Sequence, residues 1–275
     1  MTFDEERALY NLTDGRLEEC TFAGPADGES ALKEARRIEL YDCSFSLRYP
    51  LWHTEDFSLE KCKMDELTRA AIWYSHRGTI KDSTLGGIKV LRECSDIELD
   101  DVTAVSPEIA WRCSGLRLSG CDVTGEYAFF ECKDTSLSDT KLHGKYSFQY
   151  TEGLKIDKCE LRTKDAFWHA KNVTVTDSIV EGEYLGWYSE GLTLINCRIS
   201  GTQPLCYCKD LTLVNCTMEN TDLSFEYSDV DATVCGNIVS VKNPRSGRIV
   251  ADSIGDIVLE GAVIDTSCEI VTKDK

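Results

Sequence analysis

Leu192–Ile199 reads LTLINCRI, and Leu211–Met218 reads LTLVNCTM, the second phrase starting 19 residues after the first. Stepping by the same interval from Cys197 and Cys216 reaches Ser83, Val102, Cys121, Thr140, Cys159, Ser178 and Cys235. Looser steps of 23, 19 and 21 residues connect Cys20, Cys43, Cys62 and Ser83. Every residue at this anchor position is small or β-branched. Apolar residues alternate before the anchor, as in Leu116 and Leu118 before Cys121. One more follows two places after it, as in Val123, Leu142 and Ile199. Period-two alternation marks a half-buried strand, and a fixed step of this length marks a solenoid.

Two columns of turn residues punctuate each repeat. Asp42, Asp82, Asp101, Asp139, Asp177, Asn196 and Asn215 precede the anchors, and Asp96, Gly115, Asp134, Gly153, Asn172, Gly191, Asp210 and Asp229 lie 13 residues past them. Gly, Asn and Asp are the residues that adopt positive φ at least cost. No helix formers fill the other half of the repeat, which distinguishes it from a leucine-rich repeat. The expected fold is all-β: a single-stranded right-handed parallel β-helix of about twelve turns. One domain is expected over residues 1–275. Residues 1–37 form an N-terminal cap and insertion, with a short helix from about Glu29 to Arg36 and a loop at Gly24 and Pro25. Residues 38–241 form the regular turns, and residues 242–275 the C-terminal turns and cap.

The net charge of −18 and pI near 4.6 disfavour a nucleic-acid backbone or a polyanionic substrate. No apolar run reaches the roughly 20 residues of a membrane span. The N-terminal MTFDEERALY has no signal-peptide pattern, so the 14 cysteines are expected as reduced thiols in a cytoplasm, eight of them as small buried residues of the anchor column. No cysteine or histidine cluster has metal-ligand spacing, and neither metal nor cofactor is expected.

The second half of each repeat reads EIAWRC at Glu108, YAFFEC at Tyr127, YSFQYT at Tyr146, DAFWHA at Asp165 and YLGWYS at Tyr184. Its last position is small in every turn. Strict alternation then turns Trp111, Phe130, Trp168 and Trp187 inward and leaves the intervening positions exposed. The exposed ribbon holds His169 between Tyr150 and Tyr188, a candidate general acid–base group with two phenols. Glu131 with Arg112 is the second candidate catalytic cluster, although Glu93–Arg112–Glu131 reads more simply as a salt ladder. His53, Phe129, Phe148, Phe167, Tyr146, Tyr184, Tyr207, Asp165 and Glu226 are the expected substrate contacts. Exposed aromatic surface marks a binding site, and a carbohydrate is the expected ligand, bound or acted on by a sugar-directed lyase or hydrolase. The alternative is a scaffold without chemistry that docks a partner protein or a second copy.

The strings ESALKEA (29–35), YPLWH (49–53), AAIWYS (70–75), KDAFWHAKNVTVTDS (164–178), GEYLGWYS (182–189), LCYC (205–208), SFEYS (224–228) and NPRSG (243–247) resemble a bacterial family known as domain of unknown function 3737. The resemblance spans nearly the whole chain and implies a β-helix of the pectin-lyase-like type. It carries no established activity or catalytic residue.

Overall fold

The computed structural model describes residues 1–24 and 28–273, so the loop expected at Pro25 lies outside the described residues. The chain is an all-β parallel solenoid of about 14 turns, against the twelve expected. No helix occurs among the described residues, and so none long and apolar enough to cross a membrane. The chain forms two compact units, Met1–Lys141 and Leu142–Lys275.

In the first unit the LTLINC-type strands are Thr13–Glu18, Arg36–Tyr41, Glu55–Glu60, His76–Lys81, Ser95–Asp100, Arg117–Ser119 and Ser136–Ser138. They pair in parallel and in register, Leu40 on Leu59, Leu59 on Ile80, Ile80 on Leu99 and Leu99 on Leu118, and all five are buried. In the second unit Lys171–Thr176, Glu190–Ile195 and Leu211–Glu219 do the same, with Val175 on Leu194 and Leu194 on Leu213. Register is strict because a slip of one residue would turn every apolar side chain to water.

The turn column before each anchor does what Asp and Asn are suited to do. Asp42, Asp82, Asp101 and Asp139 have φ between 46° and 50° or at 53° in the first unit, and Asp177, Asn196 and Asn215 lie at 49° to 53° in the second. This corner points the preceding carbonyl towards the anchor side chain. Cys43 donates to the Tyr41 carbonyl at 3.4 Å, Ser83 to Lys81 at 2.6 Å and Cys121 to Ser119 at 3.3 Å. Ser178 donates to Thr176 at 2.6 Å and Cys197 to Ile195 at 3.3 Å. The anchors are therefore small donors as well as small buried groups, which explains why Cys, Ser and Thr interchange there. Cys121→Ser should keep the donor and change stability by less than about 1 kcal/mol, whereas Cys121→Ala removes the donor, leaves the Ser119 carbonyl with the Asp101 N–H alone and should cost about 1 kcal/mol more. Urea unfolding that ranks alanine above serine would refute the donor role.

Three features differ from the sequence expectation. Cys235 leaves the anchor column: the pairing of Leu211–Glu219 with Asp229–Lys242 shifts after Leu213, so Val234 sits on Cys216 and Cys235 becomes half-exposed. The expected helix near Glu29–Arg36 is a run of turns, because Ser30, Leu32 and Glu34 have positive φ and alternate with residues that do not. The third difference governs the candidate site. The second half of each repeat is not an extended strand throughout. Positive φ recurs at every other residue, at Tyr49, Leu51 and His53 in the first unit and at Tyr146, Phe148 and Tyr150, then Asp165, Phe167 and His169, in the second. Left-handed conformations cost roughly 1–2 kcal/mol each for residues other than glycine. Hydrogen bonds between turns hold them in place, such as His169 N–H to the Trp187 carbonyl at 3.0 Å and Phe167 N–H to Ser147 at 3.0 Å.

Candidate functional site

The alternating backbone breaks the in–out rhythm of a strand. In the repeat starting at Glu108, Ile109, Ala110 and Cys113 are buried, while Glu108 and Trp111 are half-exposed and Arg112 is exposed. Two consecutive residues thus point inward and two consecutive residues point outward. Phe129, Phe148 and Phe167, expected as substrate contacts, are core residues, with Phe148 stacked on Phe167 at 5.2 Å. They leave the candidate ligand surface. The tryptophans, expected inward, are half-buried instead.

In the second unit, Trp168 and Trp187 stack at 5.5 Å and 4°. Their indole N–H groups donate to the carbonyls of Tyr184 and Gln203 on the next turn at 2.7 and 2.8 Å. Beside them Tyr150, His169, Tyr188 and Tyr207 form a ladder with centroid spacings of 5.0, 5.1 and 4.8 Å and interplanar angles of 9° to 12°. Tyr150 and Tyr188 are 51% and 48% exposed. The faces of the interior rings are covered by their neighbours, so the ladder offers edges to solvent. Among the described residues neither the His169 ring nitrogens nor the Tyr188 hydroxyl has an intramolecular hydrogen-bond partner.

The ladder ends in a polar cluster. Tyr207 donates to Glu226 at 3.4 Å, and Glu226 is held by Lys242 at 2.8 Å. Burial and the Glu226 carboxylate push the Tyr207 phenol up to about 12. Asp165 is only 5% exposed, and burial raises its carboxyl above the usual range despite Lys164 and Lys145 nearby. Tyr146 lies under the Lys145 ammonium at 4.4 Å, and Tyr184 meets Trp187 edge-on at 5.2 Å.

The first unit carries a different ribbon. Lys33 lies over Trp52 at 4.4 Å, Trp52 stacks on Trp73 at 5.9 Å, and Arg92 lies between Trp73 and Trp111 at 5.7 and 4.6 Å. Arg92 is paired with Glu108 at 2.8 Å, which supplies the partner a half-buried guanidinium needs. His53 stacks on Tyr74 at 5.1 Å. Arg112 bridges Glu93 at 3.5 Å and Glu131 at 2.9 Å, so the salt ladder is present. The two carboxylates, engaged from opposite sides by one cation, are poorly placed to divide acid and base roles. A shallow pocket of about 340 Å³ lies on the outer side of the LTLINC-type strands, lined by Thr79, Lys81, Glu98, Arg117, Ser119 and Ser136 among others, and no sequence-derived candidate reaches it. No group of three or more His, Cys, Asp or Glu among the described residues is placed to hold a metal ion.

Fold and surface together define a parallel β-solenoid with polar aromatic ladders on the turn-rich side of its coils. The chain belongs to the family described as protein of unknown function (DUF3737), whose model matches residues 1–271. No curated protein matches it. Among solved structures it is similar to a tailspike protein double mutant of E. coli bacteriophage HK620 in complex with a pentasaccharide, at 8% identity and a TM-score of 0.41, covering 89% of this chain and 67% of that one. It is also similar to PfbA, a surface adhesin of Streptococcus pneumoniae, at 9% identity and 0.36, covering 94% and 84%. A third is the A-module of the mannuronan C-5 epimerase AlgE4 of Azotobacter vinelandii, at 11% identity and 0.26, covering 93% and 76%. These likenesses concern fold alone.

Proposed function

We propose that the protein binds an extended, neutral carbohydrate along the Tyr150–His169–Tyr188 ladder, without a chemical step. The carrying observation is the row of exposed ring edges at a spacing of 5.0 and 5.1 Å, each bearing a hydroxyl or ring nitrogen. Recognition is by hydrogen bonds to sugar hydroxyls rather than by stacking, because the interior ring faces are occupied. Rings packed on one another lose little side-chain entropy on binding, which favours affinity. The net charge of −18 favours an uncharged ligand over a polyanion.

A panel of neutral and acidic oligosaccharides measured by calorimetry tests this. Tyr188→Phe keeps the stack and removes only the hydroxyl, and it should weaken binding by about 1 kcal/mol, roughly fivefold. Tyr188→Ala should weaken it further by opening the ladder. No binding across the panel, or unchanged affinity in Tyr188→Phe, would sink the proposal. Self-association lost in Tyr188→Ala would favour a scaffold instead.

A further inference from the structure

The end of the second unit carries a feature independent of the ladder. Strand Ser246–Val258 is paired along its length with Asp229–Lys242. On its other side Glu269–Thr272 covers only Arg248–Ala251. Among the described residues no strand pairs with the outer edge from Asp252 to Val258. The register places Ile254 on Ile238, Asp256 on Ser240 and Ile257 on Val241. Ile238, Ser240 and Val241 are buried core positions, so their successors continue the core columns with nothing above them. Ile257 is 44% exposed, and Leu259, Val263 and Ile264 further along the chain are also exposed.

An open edge beside apolar side chains is a template for another strand. Asp256 restricts which strand can join, because it occupies a core column and would be covered by any newcomer. Asp252 is engaged with Lys273 at 2.7 Å and Glu269 with Arg248 at 3.0 Å. A covering strand therefore needs a cation opposite Asp256 and apolar residues opposite Ile254 and Ile257. A second copy docking by the same edge would bring Asp256, Glu260 and Asp265 towards their own equivalents, which disfavours it.

We propose that Asp252–Val258 is a docking edge for an extended segment of a partner protein that reads apolar–x–cation–apolar, in register with Ile254, Asp256 and Ile257. Backbone hydrogen bonds supply affinity and the Asp256 position supplies selection. The test is fluorescence anisotropy of the full chain with labelled peptides TITKITT and TITEITT. The wild type should prefer the lysine peptide by about tenfold, Asp256→Asn should abolish the preference, and Asp256→Lys should reverse it. Failure of both peptides to bind, or a preference unchanged by Asp256→Lys, overturns the proposal. So does a wild-type dimer in sedimentation that Asp256→Lys dissolves, since it assigns the edge to a second copy.

Discussion

Phe167→Ala is expected to destabilise the protein by about 3–5 kcal/mol, the cost of removing a large aromatic side chain from a packed core. Phe167 is 1% exposed and stacks on Phe148. If Phe167 instead stood on the exposed ribbon, the same substitution would stay within about 0.5 kcal/mol. Tyr188→Ala, two positions beyond the equivalent residue on the next turn, is the control: its exposed ring should contribute far less to stability. Urea unfolding of the two variants in parallel separates the two placements. Solenoid turns contact only their neighbours, so the loss should appear first in the second unit, as faster hydrogen exchange in the turns beside Phe167.

Gly201→Ala should cost more than about 3 kcal/mol, combining a backbone region open essentially to glycine with a direct clash. Gly201 has φ of 128°, and a Cβ there would lie 1.8 Å from the Gly182 carbonyl oxygen of the preceding turn. That atom belongs to backbone paired in register and cannot retreat without moving a whole turn. Gly236 gives the contrast: its φ is 85°, but a Cβ meets nothing within 4 Å. Gly236→Ala should therefore show the conformational penalty alone, about 1 kcal/mol. Equal losses at the two sites, in thermal or urea unfolding, would remove the clash from the account.

Much of the fold was legible because parallel in-register pairing repeats each side chain at a constant step. Cys197 and Cys216 identify the same wall of the coil in adjacent turns, and Asn196 and Asn215 identify the corner before it. Asn215 donates to Asn196 at 2.9 Å, and Asn196 to Asp177 at 2.9 Å, as a repeated column allows. The ladder was legible for the same reason. Tyr150, His169 and Tyr188 share one offset from their anchors, and the rings stack at the spacing of neighbouring strands.

The facing of the second half was not legible. Its positive-φ positions hold Phe167, His169 and Tyr188, residues whose chemistry gives no hint of a left-handed backbone. Gly186, at the Phe167 position one turn on with φ of 75°, is a glycine signal that the bulky residues of the neighbouring turns obscured. Alternation therefore assigned Phe148 and Phe167 to the surface and Trp168 and Trp187 to the core, whereas the phenylalanines are buried and the tryptophans half-buried. The register shift that exposes Cys235 was equally hidden, since one residue fewer in a corner leaves the local pattern intact.

The sequence by itself determined the repeat, the parallel coil, the buried anchor column and which residues stack from turn to turn. These follow from periodicity, which survives without knowledge of any torsion angle. Only the tertiary structure decided which sides of the stacks meet water. That choice depends on hydrogen bonds between turns strong enough to hold aromatic residues in left-handed conformations, and those bonds exist only once neighbouring turns are assembled. The candidate site accordingly presents hydroxyl and imidazole edges, with its phenylalanines inside.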